Sequence, residues 1–176
     1  MNSKLKVLLA SAVPFLGMFP GAVEAQQPGT KAPVPHDQVL SANPFLLMWE
    51  WTNAEYERKI SPSGTVGVGG SWISLDGGDE DFKNLNIFYR HYPQGAALSG
   101  FYVGGRAGVY HVSDDDDSGT AFGAGFDVGY AWLLGAQRTF YIGMGLGATR
   151  LLGGDLPDGT TVTIPNLRLL NIGLAF

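Results

Sequence analysis

From residue 39 to the end of the chain, large apolar side chains recur at every second position. The pattern is plainest over residues 166–176. There Leu170, Ile172, Leu174 and Phe176 share one face, and Leu169, Asn171, Gly173 and Ala175 share the other. Period two marks a β-strand, whose successive side chains point to opposite faces. The same alternation predicts strands over residues 65–74, 84–92, 101–111, 120–132 and 139–149. In the last of these Phe140, Ile142, Met144 and Leu146 alternate with Tyr141, Gly143, Gly145 and Gly147. No segment of this region sustains a helical period. Strands that follow one another without crossover helices imply antiparallel neighbours.

The two faces differ in a telling way. One is large and apolar; the other is rich in Gly and carries the charges. A soluble barrel buries its apolar face and would be left with a bare, Gly-lined exterior. A strand with lipid outside and a narrow interior shows this pattern instead. The connections alternate too. Residues 60–64, 93–98 and 134–138 are short, whereas 75–82, 113–119 and 151–164 are longer or more acidic. Outer-membrane barrels have short periplasmic turns and longer outer loops. The last strand then ends on the periplasmic side, and the strand ending near Lys59 runs downward. One more upward strand is needed, within residues 39–48, joined to the next by a tight outer turn at 49–53. The expected fold is all-β, an antiparallel up-and-down transmembrane β-barrel of eight strands. An alternative makes residues 44–59 one long strand and places the eighth strand within 151–163.

Composition sharpens this picture. Of 176 residues, 45% are hydrophobic, 26 are Gly and only 15% are charged, against about 25% charged in soluble domains. Past residue 25 no apolar run is long enough for a membrane helix. At the start, Lys4 and Lys6 precede an interrupted apolar stretch, and Val23-Glu24-Ala25 offers small residues for cleavage. Residues 1–25 are therefore expected to be a secretory signal peptide. Residues 26–38, with Pro and Gln and no periodicity, are expected to be a flexible periplasmic linker, and 39–176 the barrel in the cell outer membrane. Residues 1–25 hold two Lys and one Glu, so the remainder carries nine basic and fifteen acidic residues, net −6. That balance argues against a nucleic-acid partner. The absence of Cys excludes a disulfide framework, a thiolate metal site and a lipidated N-terminal Cys.

Several motifs carry a resemblance: Asn43-Pro44 opening the barrel, Glu55-Tyr56-Glu57-Arg58 at the second strand, and Tyr89-Arg90-His91-Tyr92-Pro93 leading into Gly100-Phe101-Tyr102. Over roughly residues 39–176 the chain resembles a family of small Gram-negative outer-membrane barrels of the OmpA and OmpX type. The closing strand with its terminal Phe176 is similar to the signal such barrels show to their assembly machinery. The resemblance implies a fold, a location, and lipids and that machinery as partners. It brings no catalytic residues and no cofactor.

The inward-facing charges are the most informative chemistry. Arg90, Arg106 and Asp127 face the interior by the parity of their own strands, and Glu55 and Glu57 join them if Tyr56 faces lipid. A closed eight-stranded barrel is only wide enough for side chains, so these charges are expected to pair as a structural network filling the lumen; an ion or proton path is the competing reading. Asp114, Asp115, Asp116 and Asp117 form an acidic outer loop. They lack the alternating spacing and Gly of a calcium-binding loop, and no metal site is expected. His111 and Ser113 share the lipid side at the outer rim, and a His-x-Ser pair there resembles outer-membrane lipid A deacylases. Such a hydrolase needs a carboxylate to orient the His. Asp127 points inward, and no Glu follows Ser113. The expectation is a monomeric, non-catalytic barrel with a structural or surface-interaction role. The alternatives are an outer-leaflet lipid-modifying enzyme and a soluble lipocalin-like binding barrel in the periplasm.

Overall fold

A computed structural model describes residues 35–75, 80–114, 117–154 and 162–176. Eight antiparallel strands form a closed up-and-down barrel in the order β1 to β8, with β8 pairing back onto β1. The strands are β1 (Gln38–Ala42), β2 (Trp51–Ser61), β3 (Gly64–Leu75), β4 (Glu80–His91), β5 (Gly100–Asp114), β6 (Asp117–Leu134), β7 (Phe140–Gly154) and β8 (Thr163–Ala175).

Closure requires a stagger. Leu40 of β1 pairs with Tyr56, and the register then runs through Val68, Ile87, Ala107 and Ala124 to Arg150 and Thr163 of β8. Leu40 itself meets β8 at Leu174, eleven positions further along. That offset tilts the strands against the barrel axis, as closure of eight strands demands.

The face assignment follows the alternation of the sequence. Leu85, Ile87, Phe122, Phe126, Leu146 and Leu174 are exposed on the outside. Tyr102, Tyr110, Tyr141, Arg90 and Glu57 are buried inside. The interior Gly residues act as sockets for large side chains crossing from neighbouring strands. A Cβ at Gly145 would stand 2.5 Å from the Tyr102 hydroxyl, and one at Gly123 would stand 2.6 Å from the Tyr110 ring. At Gly67 the occupant is Phe88, and at Gly143 it is Arg168. The Gly-rich face is thus a wall hollowed to fit the residues that fill it.

Two apolar clusters lie at different levels of the interior. Val39, Tyr92, Leu98, Tyr102, Ala131, Tyr141 and Ala175 pack at the end with the short turns. Tyr110, Ala121 and Leu151, with Phe82 and Ile164 against them, pack toward the other end.

Four expectations need correction. The first strand fills only the start of its expected window and stops at Ala42, so the chain turns from Asn43 on rather than at 49–53. Pro44 cannot donate to a ladder, and the Asn43 side chain turns the backbone by accepting hydrogen bonds from the N–H groups of Phe45 (3.0 Å) and Leu46 (3.2 Å). Leu46–Trp49 then form a single 3-10 turn, ended by Glu50 in the left-handed region at φ 57°. The second strand begins at Trp51, inside the expected turn. The longer connections are also shorter than expected, because β5, β6 and β7 run on as ribbons past the last regular apolar position.

The fourth correction concerns β8. Gly143 pairs with Asn171 but Gly145 pairs with Arg168, so Leu169 and Leu170 together oppose the single residue Met144. This β-bulge reverses the parity of everything before it. Leu169, expected inside, is exposed, and Arg168 is buried.

The expected signal peptide (1–25) and residues 26–34 of the expected linker lie outside the described residues. The end of that linker is bonded to the barrel. Asp37 donates its N–H to the Phe176 carbonyl (3.3 Å) and accepts from the Lys59 N–H (2.7 Å), and Gln38 already belongs to β1.

Candidate functional site: the charged layer inside the barrel

Between the two apolar clusters sits a layer of six charged side chains. Arg90 of β4 is its hub and has no exposed surface. Its guanidinium meets Glu57 of β2 at 2.6 Å, Glu55 of β2 at 3.1 Å and Asp127 of β6 at 3.4 Å. It also lies over the Phe88 ring at 4.0 Å and the Tyr102 ring at 4.9 Å, an arrangement suited to a planar, weakly hydrated cation. Arg106 of β5 meets the same Asp127 oxygen, Oδ2, at 3.3 Å. Arg168 of β8 donates to Glu55 at 2.8 Å and to the Tyr141 hydroxyl at 3.0 Å.

The remaining lone pairs of Glu57 are also engaged. Thr65 and Tyr92 donate hydroxyl hydrogen bonds to its second oxygen, at 2.6 Å and 2.9 Å. Three guanidiniums therefore balance three carboxylates, so the layer carries no formal net charge. Buried charges persist only with such pairing and hydrogen bonding.

All five residues singled out from parity are thus brought into one network. Parity missed Arg168, because extrapolating from Asn171 through the bulge put it on the lipid side. A local signal existed: in Asn166-Leu167-Arg168-Leu169 polar and apolar residues alternate in the phase opposite to Asn171–Ala175. Thr65, Tyr92 and Tyr141 have interior parity but carry no charge to mark them as partners.

No protein-family model, curated protein or solved structure matches this chain.

The other candidates fall apart from this layer. Asp114 and Asp117 are register partners at the tip of the β5–β6 ribbon; Asp115 and Asp116 lie outside the described residues. His111 Nδ1 is 2.9 Å from the Thr120 hydroxyl on β6. Among the described residues no three His, Asp or Glu side chains converge as metal ligands. Phe176 follows β8 with its side chain exposed, while its backbone pairs with Gln38.

Chemically, the charged layer is suited to holding strands together. It joins β2, β4, β5, β6 and β8, and aromatic side chains pack against it. Each carboxylate is matched to a guanidinium, which leaves no single acid or base set apart for proton transfer.

Proposed function

We propose that this protein spans an outer membrane as a small barrel with a filled interior, and serves a structural or surface-contact role in the envelope rather than a catalytic one. The observation that carries this reading is the inverted distribution of polarity. The outside of a closed barrel displays Leu40, Val68, Leu85, Ile87, Phe126, Leu146 and Leu174 half or more exposed or nearly so, while its interior holds three Arg and three carboxylates. A continuous apolar belt of this kind in water would drive association; in a bilayer it is the required surface. Closure supports the reading further, because along its paired stretches a barrel satisfies backbone groups without a helix.

The aromatics sit where interfaces would cross the barrel. Phe101, Tyr130 and Phe140 lie toward the end with the short turns, and Trp72 and Phe122 toward the other, all exposed. Such girdles anchor barrels at both membrane surfaces.

The test is fractionation of the expressed full chain. It is expected in the outer-membrane fraction, extractable only with detergent, and with different gel mobility before and after boiling. Recovery in a detergent-free periplasmic extract would overturn the proposal and favour a soluble barrel.

A further inference from the structure

The barrel wall has a notch. β1 is five residues long and β8 thirteen. β1 covers β8 only from Ile172 to Ala175. From Asn171 up to Thr163, β8 has no ladder partner on its β1 side among the described residues. The next wall on that side is β2, which begins only at Trp51. Residues 43–50 cross the gap without a backbone hydrogen bond to β8 among the described residues. Leu46 turns inward and is buried, whereas Phe45, Leu47, Met48 and Trp49 are 49–79% exposed.

Both borders of the notch carry a proline. Pro44 ends β1, and Pro165 lies within β8, paired by register with Ala148 of β7. Within sheets proline is confined to edges and irregularities, because it has no N–H for a second neighbour. A strand carrying one is suited to remaining unpaired on one side. Leu167 and Leu169 are exposed along the same stretch.

Behind the notch and at its lower border lies a second, independent feature. Four side chains there, each at least nine-tenths buried, hold a polar atom without a partner: Ser41 Oγ, Asn43 Nδ2, Asn171 Oδ1 and Arg168 Nη1. Register places them together. Ser41 is opposite Gly173, and Asn43 follows the Ala42–Ile172 pair and so stands beside Asn171. Asn171 in turn pairs with Gly143, over which Arg168 Nη1 lies. Leaving such atoms unpaired costs free energy. They offer two donors, one acceptor and a hydroxyl that can be either. The neighbouring charges already cancel, so an uncharged group matches them better than an ion.

We propose that the notch is a lateral binding site for an acyl-chain amphiphile. Its tail lies between residues 45–49 and Leu167 and Leu169. Its head, carrying both a carbonyl and an O–H or N–H, bonds to Asn43, Arg168, Asn171 and Ser41. The site rests on the membrane placement proposed above.

The test uses the full chain folded into phosphatidylcholine vesicles containing a diazirine-tailed palmitoyl ethanolamide, with the matching methyl ester as comparator. Cross-links mapped by mass spectrometry should concentrate on residues 43–50 and 163–169 over Leu85 and Ile87, and the ethanolamide should label better than the ester. Asn171→Leu should reduce that labelling about fivefold to tenfold, the worth of one hydrogen bond. Ser41→Ala, which removes one hydroxyl, should lower it in the same direction and serves if Asn171→Leu does not fold. Labelling spread evenly over the belt, or equal labelling by the ester, would each overturn the site. Failure of the protein to float with the vesicles would overturn the membrane placement first, and the site with it.

Discussion

Replacing Arg90 by Met tests the charged layer at its most connected point. Arg90 is fully enclosed and meets Glu55, Glu57 and Asp127. On its removal Glu55 keeps Arg168 at 2.8 Å and Asp127 keeps Arg106 at 3.3 Å. Glu57 keeps only the hydroxyls of Thr65 and Tyr92. One carboxylate is therefore left buried without a cation. Stranding one partner of a buried pair costs about 3–5 kcal/mol, a large share of the roughly 5–15 kcal/mol that holds a domain together. Glu57→Gln in the same chain removes the stranded charge and leaves a carbonyl oxygen for the two hydroxyls. The double variant should recover about 2–3 kcal/mol relative to Arg90→Met alone. Lys59, 3.7 Å from Asp37 with both partly exposed, is the control; Lys59→Met should change stability by less than about 1 kcal/mol. Equilibrium unfolding in urea with detergent micelles, read by tryptophan fluorescence and by the mobility of unboiled protein on gels, supplies the four corners of the cycle. Strictly additive losses from Arg90→Met and Glu57→Gln would refute the claim that this pair is coupled.

Two further outcomes follow from the two faces of the wall. Arg at Ile87, on the outer face, should cost about 2–4 kcal/mol of stability in lipid, whereas Arg at Asp37, beyond the strand ends, should cost close to nothing; equal tolerance in refolding titrations into vesicles would overturn the face assignment. Gly145→Ala places a Cβ 2.5 Å from the Tyr102 hydroxyl and 2.9 Å from the Val128 carbonyl, and should destabilise by about 1–3 kcal/mol through overpacking. Gly105→Ala, whose nearest neighbour would be the Gly125 carbonyl at 3.9 Å, should be neutral by comparison in the same unfolding assay; a loss equal to that at Gly145 would contradict the socket description.

What the sequence by itself determined was the strand period and the sorting of side chains between two faces. That follows from the pleat, which is a local property of the backbone and needs no knowledge of partners. Hence Glu55, Glu57, Arg90, Arg106 and Asp127 could be assigned to the interior from parity alone. Their partners could not. Arg168 and Glu55 are 113 residues apart, and they meet only because the ring closes with a stagger of eleven positions between Thr163 and Leu174. Pairing with β7 decided the bulge at Leu169 and Leu170. Both are large and apolar, so either one fits the outer face, and only pairing with Gly143 and Gly145 on β7 fixes which phase holds where. The shortness of β1 was half legible. Asn43-Pro44 marks a stop in the sequence, but the notch it opens exists only because β8, from the far end of the chain, runs on past it.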